Sequence, residues 1–130
     1  MKPSEIFDTL VNRVCEEFEI RYESVLNDAK IQTVVEARIL CVYFLRRIGF
    51  SNDDIALVVL RKQRGDMNYY PTMEEIKQKA KSVDKMWKAY WDKHDNLACW
   101  KFNLVEKDIR IFCRQKYNEL YLSGMKELSN

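Results

Sequence analysis

Glycine and proline are scarce in this chain, three and two residues among 130. So few breakers exclude collagen-like and linker-rich architectures and leave room for long helices. Histidine is scarcer still: His94 stands alone, which removes the material for histidine-based triads and His-rich metal sites. His94 and Cys99 could share a metal only with ligands brought from elsewhere. The four cysteines, Cys15, Cys41, Cys99 and Cys113, form no Cys-x-x-Cys pair and sit among apolar neighbours, the setting of buried free thiols. No apolar run approaches the roughly 18 residues needed to span a bilayer. The opening MKPSEIFDTL lacks the apolar stretch and small-residue cleavage site of a leader, so a soluble, cytoplasmic protein without membrane contact is expected. There is no Gly-x-x-x-x-Gly-Lys-Ser/Thr loop and no carboxylate pair at a spacing that implies acid–base chemistry, and a non-enzymatic role without a cofactor follows as the expectation.

Hydrophobic residues make up 47% and charged residues 32%, the balance of a single folded domain with a real core. Net charge is only +2, but it is unevenly spread. Residues 1–30 hold four basic and seven acidic side chains, whereas residues 61–93 hold nine basic and five acidic. A polyanion contact is sought first in that middle stretch, where the alternative is a solvated helix face.

The elements follow from spacing. Ser4 can cap a first helix whose Ile6, Phe7, Leu10, Val11, Val14 and Phe18 form one apolar stripe. A short helical turn spans Tyr22 to Leu26, and Asn27-Asp28 breaks it. Thr33-x-x-Glu36 reads as a capping box that opens a helix running to about Ile48 and stopping at Gly49, apolar on nearly all faces and therefore central. Ser51 with Asp54 caps a short helix from Asn52 to about Leu60. The basic stretch RKQRGDMNYYP, residues 61–71, reads as a turn, and Thr72-x-x-Glu75 offers a third capping box, with Met73, Ile76 and Ala80 on one face of the helix it opens. After Ser82 the character changes. Val83, Met86, Trp87, Tyr90 and Trp91 make an aromatic packing stripe that ends at Asp95-Asn96, and Asn103 with Glu106 caps a last helix carrying Val105, Ile109, Phe112, Cys113, Leu120 and Tyr121. The tail from Gly124 is expected to fray. The fold class is all-α, with a core over residues 1–82 and an aromatic-rich helical extension over 83–130 packed on or beside it.

The segment Val35 to Ala56, VEARILCVYFLRRIGFSNDDIA, resembles the carboxy-terminal DNA-binding domain of the bacterial replication initiator DnaA. The resemblance rests on Ala37-Arg38, Tyr43-Phe44-Leu45, Gly49-Phe50-Ser51 and Ile55-Ala56, in the family's order and spacing, and extends over about residues 5–80. It implies a helix-turn-helix of the Trp-repressor-like class that binds double-stranded DNA through the major groove. It also implies that Arg38 emerges from its helix toward the duplex and supports binding from the minor-groove side. The alternative for Arg38 is a surface pair with Glu36 or Asp54. Where the family carries a basic residue, Asp-His and small hydroxyl residues, an ungapped count from Ile55 finds Lys62, Gln63, Arg64, Gly65, Asp66 and Met67, and only the basic position is kept. Pro71 then leaves two starts for the recognition helix, near Asp66 with a kink or near Thr72.

On this basis Arg61, Lys62 and Arg64 are expected to contact phosphates with Arg38 in support. Asn68 or Tyr69 would approach base edges, and Lys77, Lys79 and Lys81 would add diffuse attraction. The competing expectation is a helical protein-interaction or scaffold module that has lost DNA binding, with a homodimer seam or a protein partner at the aromatic extension.

Overall fold

The computed structural model of the protein describes residues 3–93, together with Lys107 and Ile111. These residues form an all-α arrangement of five helices: α1 (Pro3–Phe18), α2 (Tyr22–Leu26), α3 (Gln32–Ile48), α4 (Asn52–Arg64) and α5 (Met73–Lys93). The expected last helix, the helix end at Asp95-Asn96, the pairing of His94 with Cys99, Cys113 and the extension beyond 93 lie outside the described residues.

The apolar spacing in α1 produces the stripe it implies, with Ile6, Phe7, Leu10, Val11, Val14, Cys15 and Phe18 all buried. Helix α3 is buried on most of its circumference: Ala37, Leu40, Phe44, Leu45 and Ile48 are at most 1% exposed. A helix apolar all round must be enclosed, and α1, α2, α4 and α5 all pack against it. Helix α5 adds Val83 and Tyr90 to the same core, so the core crosses the expected boundary at residue 82.

Helix ends are where the structure corrects the sequence pattern most. The Thr33 capping box is not formed: α3 starts two residues earlier than a Thr33 cap would set it, behind an extended Ile31 that makes no side-chain cap, and Gln32 donates to Glu36 at 3.1 Å instead. Helix α4 does not stop near Leu60 but continues through Arg61–Arg64, residues that are good helix formers though they carry no apolar period. The change of character after Ser82 does not break the helix, and one continuous α5 runs through it. Ser51 and Asp54 do form their reciprocal box, with Asp54 N–H donating to Ser51 Oγ at 3.1 Å and Ser51 N–H donating to Asp54 Oδ2 at 2.9 Å.

Three helices close with one and the same motif. After α3, Gly49 N–H donates to the Arg46 carbonyl and Phe50 N–H to the Leu45 carbonyl; after α4, Gly65 and Asp66 reach Lys62 and Arg61; after α1, Glu19 and Ile20 reach Glu16 and Cys15. The motif needs a positive φ at its pivot. Gly49 and Gly65 supply it at 122° and 75°, but the α1 pivot is Glu19 at 56°, where a Cβ is strained.

An aromatic cluster joins α3 to α5. The Tyr43 ring stacks on Tyr90 with centroids 3.7 Å apart, Trp87 lies 5.8 Å from Tyr43, and Trp91 meets Trp87 edge-on at 5.5 Å. The Arg46 guanidinium lies 5.2 Å from the Trp87 ring centre.

Two outcomes are expected. Glu19→Gly relieves the left-handed strain and should raise unfolding free energy by about 0.5–1 kcal/mol in urea titration, the gain being limited by the added freedom of the unfolded chain. Burial, aided by Glu23, pushes the Cys15 thiol up to about 11, and burial drives Cys41 upward as well. At pH 8 the Cys15 thiolate fraction is then about one in a thousand. Peptide-resolved alkylation at that pH should therefore label Cys15 and Cys41 only after the chain is unfolded.

Candidate nucleic-acid interface

The stretch between α4 and α5, residues 65–72, is folded onto itself and follows the basic last turn of α4, which carries Arg61, Lys62 and Arg64. Asp66 closes a local turn by accepting from the Asn68 N–H at 2.9 Å, and Tyr69 N–H donates to the Asp66 carbonyl. Arg61, in the last turn of α4, donates through Nε to the Tyr69 carbonyl at 2.8 Å. The Tyr69 hydroxyl donates to Glu75 Oε2 at 2.9 Å, and Glu75 completes the expected capping box with Thr72. Arginine and tyrosine alternate along this surface: the Arg64 guanidinium lies 4.6 Å from the Tyr69 ring centre and that of Arg61 5.5 Å from Tyr70. Helix α5 thus opens at Thr72–Met73, and Pro71 sits outside it.

The Tyr69 hydroxyl, with the Thr72 backbone, holds the Glu75 carboxyl below the usual glutamate range. Its folded pKa is depressed, so this contribution is present above the unfolded pKa and lost as pH falls through the folded one.

Several candidate residues are not presented to solvent. Arg38 does not emerge toward a ligand. Its Nε donates to the Val25 carbonyl at 2.9 Å, and Nη2 is shared among the carbonyls of Ser24 at 3.1 Å, Asn27 at 2.9 Å and Ala29 at 3.1 Å. The reason lies in α2, a five-residue helix whose last carbonyls have no helical partner and which leads directly into a non-helical connection. One planar guanidinium, half-buried beside them, gathers these acceptors. The alternative partners are also engaged elsewhere, Glu36 with Gln32 and Asp54 with Ser51. Lys62 likewise turns inward: its ammonium pairs with Asp8 at 2.7 Å, the side chain is 14% exposed, and it lies over Phe7. Asp8 also accepts from the Tyr22 hydroxyl, so α1, α2 and α4 meet at one carboxylate.

Other candidates are free to meet a partner. Lys77 and Lys81 are exposed on α5, and Lys85, not singled out from the sequence, continues them at the same four-residue spacing. None of the three has an ion-pair partner among the described residues, whereas Lys88 pairs with Asp84 at 2.9 Å. The three ammonium positions follow one face over about 12 Å of helix. Lys79 points away from this face and lines an interhelical cavity. Asn68 is exposed at the turn, and beside it Tyr70 is 84% and Met73 64% exposed. Tyr70 was legible only as a turn residue; its exposure depends on how Tyr69 and Arg61 fix the loop.

Among the described residues no group of histidine, cysteine or acidic side chains is arranged to hold a metal, and no helix is long and apolar enough to cross a membrane. The class defined is thus an all-α protein in which a basic helix end and a braced turn lead into a lysine-bearing helix. Protein-family models, curated proteins and solved structures give no match to the chain.

Arg38→Ala is expected to destabilise the fold by about 2 kcal/mol, because a charged multi-acceptor contact is lost and backbone carbonyls are left without a partner. Arg38→Lys should recover little of that, since an ammonium cannot fork among four acceptors. Urea unfolding and faster amide exchange around residues 24–30 check both.

Proposed function

We propose that the protein is a non-enzymatic double-stranded DNA-binding protein that uses α4, the 65–72 turn and α5 as a helix-turn-helix. The observation that carries this reading is the lysine face of α5, Lys77, Lys81 and Lys85, without ion-pair partners among the described residues, with Arg61 and Arg64 in the last turn of α4 ahead of it. The outer face of a helix of this length fits a major groove, and its lysines would neutralise phosphates on the groove walls. In this reading Asn68 and Tyr70, both exposed on the turn ahead of α5, would approach base edges. Arg38 and Lys62 act in this reading through the fold, by holding α2 and α4 in place.

A second reading, a protein-interaction module, draws support from the inward-turned Arg38 and Lys62 and from the exposed Tyr70, Met73 and Trp91. Fluorescence anisotropy with random duplex DNA over a salt series separates the two. The wild-type chain should bind at low salt. Replacing Lys77, Lys81 and Lys85 together by alanine should weaken binding at least tenfold and reduce the salt slope by roughly two to three, one phosphate contact per lysine. Absence of duplex binding at low salt would remove the first reading and leave the second.

A further inference from the structure

A cavity of about 470 Å³ opens between α1, α3, α4, α5 and the α2–α3 connection. Its volume lies within the roughly 300–1,000 Å³ of small-molecule sites and is far larger than a packing void. The inner wall is apolar: Val11, Val42, Leu45, Ile55 and Val83 are each at most 3% exposed. Val59 and Met86, both half-buried, form its outer wall.

Polar groups are confined to its rim. Arg38 is there but engaged on carbonyls, and Ser82 and Asn27 are neutral. The remaining charges are Lys30, Lys79 and Asp28. Neither lysine has an ion-pair partner among the described residues. Arg38 keeps its charge, since carbonyls are neutral acceptors, so the rim holds three cations against one carboxylate and is net positive. Lys79 is half-buried on the side of α5 away from the lysine face, so its cation serves the cavity and not that face.

We infer that this cavity binds a linear amphiphile with one anionic end, a medium-chain carboxylate, its chain against Val42, Leu45 and Val59 and its head toward Lys30 and Lys79. An apolar interior rewards a hydrocarbon chain, and a net positive rim selects an anionic end over a neutral or cationic one. The site is independent of the DNA reading, because none of its lining residues belongs to the exposed lysine face of α5.

Titration calorimetry of the full chain tests it with octanoate, decanoate, decanol and decylammonium, each below the concentration at which it self-associates. Decanoate should bind saturably at one per chain and more tightly than octanoate by roughly fifteenfold, about fourfold for each added methylene. Decanol should bind at least tenfold more weakly, and decylammonium more weakly still. The Lys30→Gln/Lys79→Gln double variant, changed at an exposed and a half-buried position, should lose about tenfold for decanoate and nothing for decanol. Val59→Phe, which fills the outer wall, should abolish both while the helical circular dichroism is kept. No saturable decanoate binding, equal affinity for decanoate and decylammonium, or undiminished decanoate binding to either variant would overturn the assignment.

Discussion

Everything in this fold is arranged around the need to enclose α3. A helix with Ala37, Leu40, Phe44, Leu45 and Ile48 spread around its circumference cannot lie on a surface, because each exposed side would forfeit roughly 1.5–3 kcal/mol per large side chain. Neighbours must therefore cover it on several sides, and α1 and α5 take the largest share while α2 and α4 close the remainder. The short connections follow from this. Gly49-Phe50-Ser51 turns the chain sharply enough for α4 to return against the helix it has just left, and Phe50, 2% exposed, fixes the corner by entering the core.

Enclosure by short elements creates a second difficulty, which is the number of helix ends. Each end leaves backbone groups without partners, and α2 with five residues is nearly all end. The chain meets this with side chains that work over distance. Arg38 reaches the carbonyls of α2 and of the connection after it, Gln63 donates from α4 to the Leu26 carbonyl, and Arg61 holds the Tyr69 carbonyl. Cations that a charge count would assign to a partner are in this way partly consumed by the fold. What remains for a partner is the face that no helix end requires, the outer side of α5.

Much of the fold was legible in the sequence. The apolar spacing of α1 and α3, the stop at Gly49, and the Ser51 and Thr72 capping boxes all correspond to residues whose local chemistry decides the matter within one turn. The misplaced boundaries have a common cause. Residues Arg61–Arg64 carry no apolar period, so the end of α4 is decided by Gly65, and Ser82 interrupts a pattern without interrupting a helix. The candidate site was legible in composition but not in direction. Sequence identifies Arg38 as a cation within an apolar run and Lys62 as one of a basic stretch; it does not show that the acceptors are carbonyls of residues 24–29 and the carboxylate of Asp8, from elements earlier in the chain. The cavity was equally invisible, since its wall is built from separate helices whose apolar residues read individually as core.

The stacked rings between α3 and α5 have an optical consequence. Tyr43 and Tyr90 at 3.7 Å, with Trp87 and Trp91 at 5.5 Å and edge-on, are close enough for their electronic transitions to couple. Tyrosine excitation in this cluster passes to the indoles, and the Arg46 cation beside Trp87 shifts the energy of that ring's emitting state. The seam that seats α5 on α3 therefore carries its own chromophore, and a change in the angle between the two helices alters near-ultraviolet circular dichroism without any label being attached.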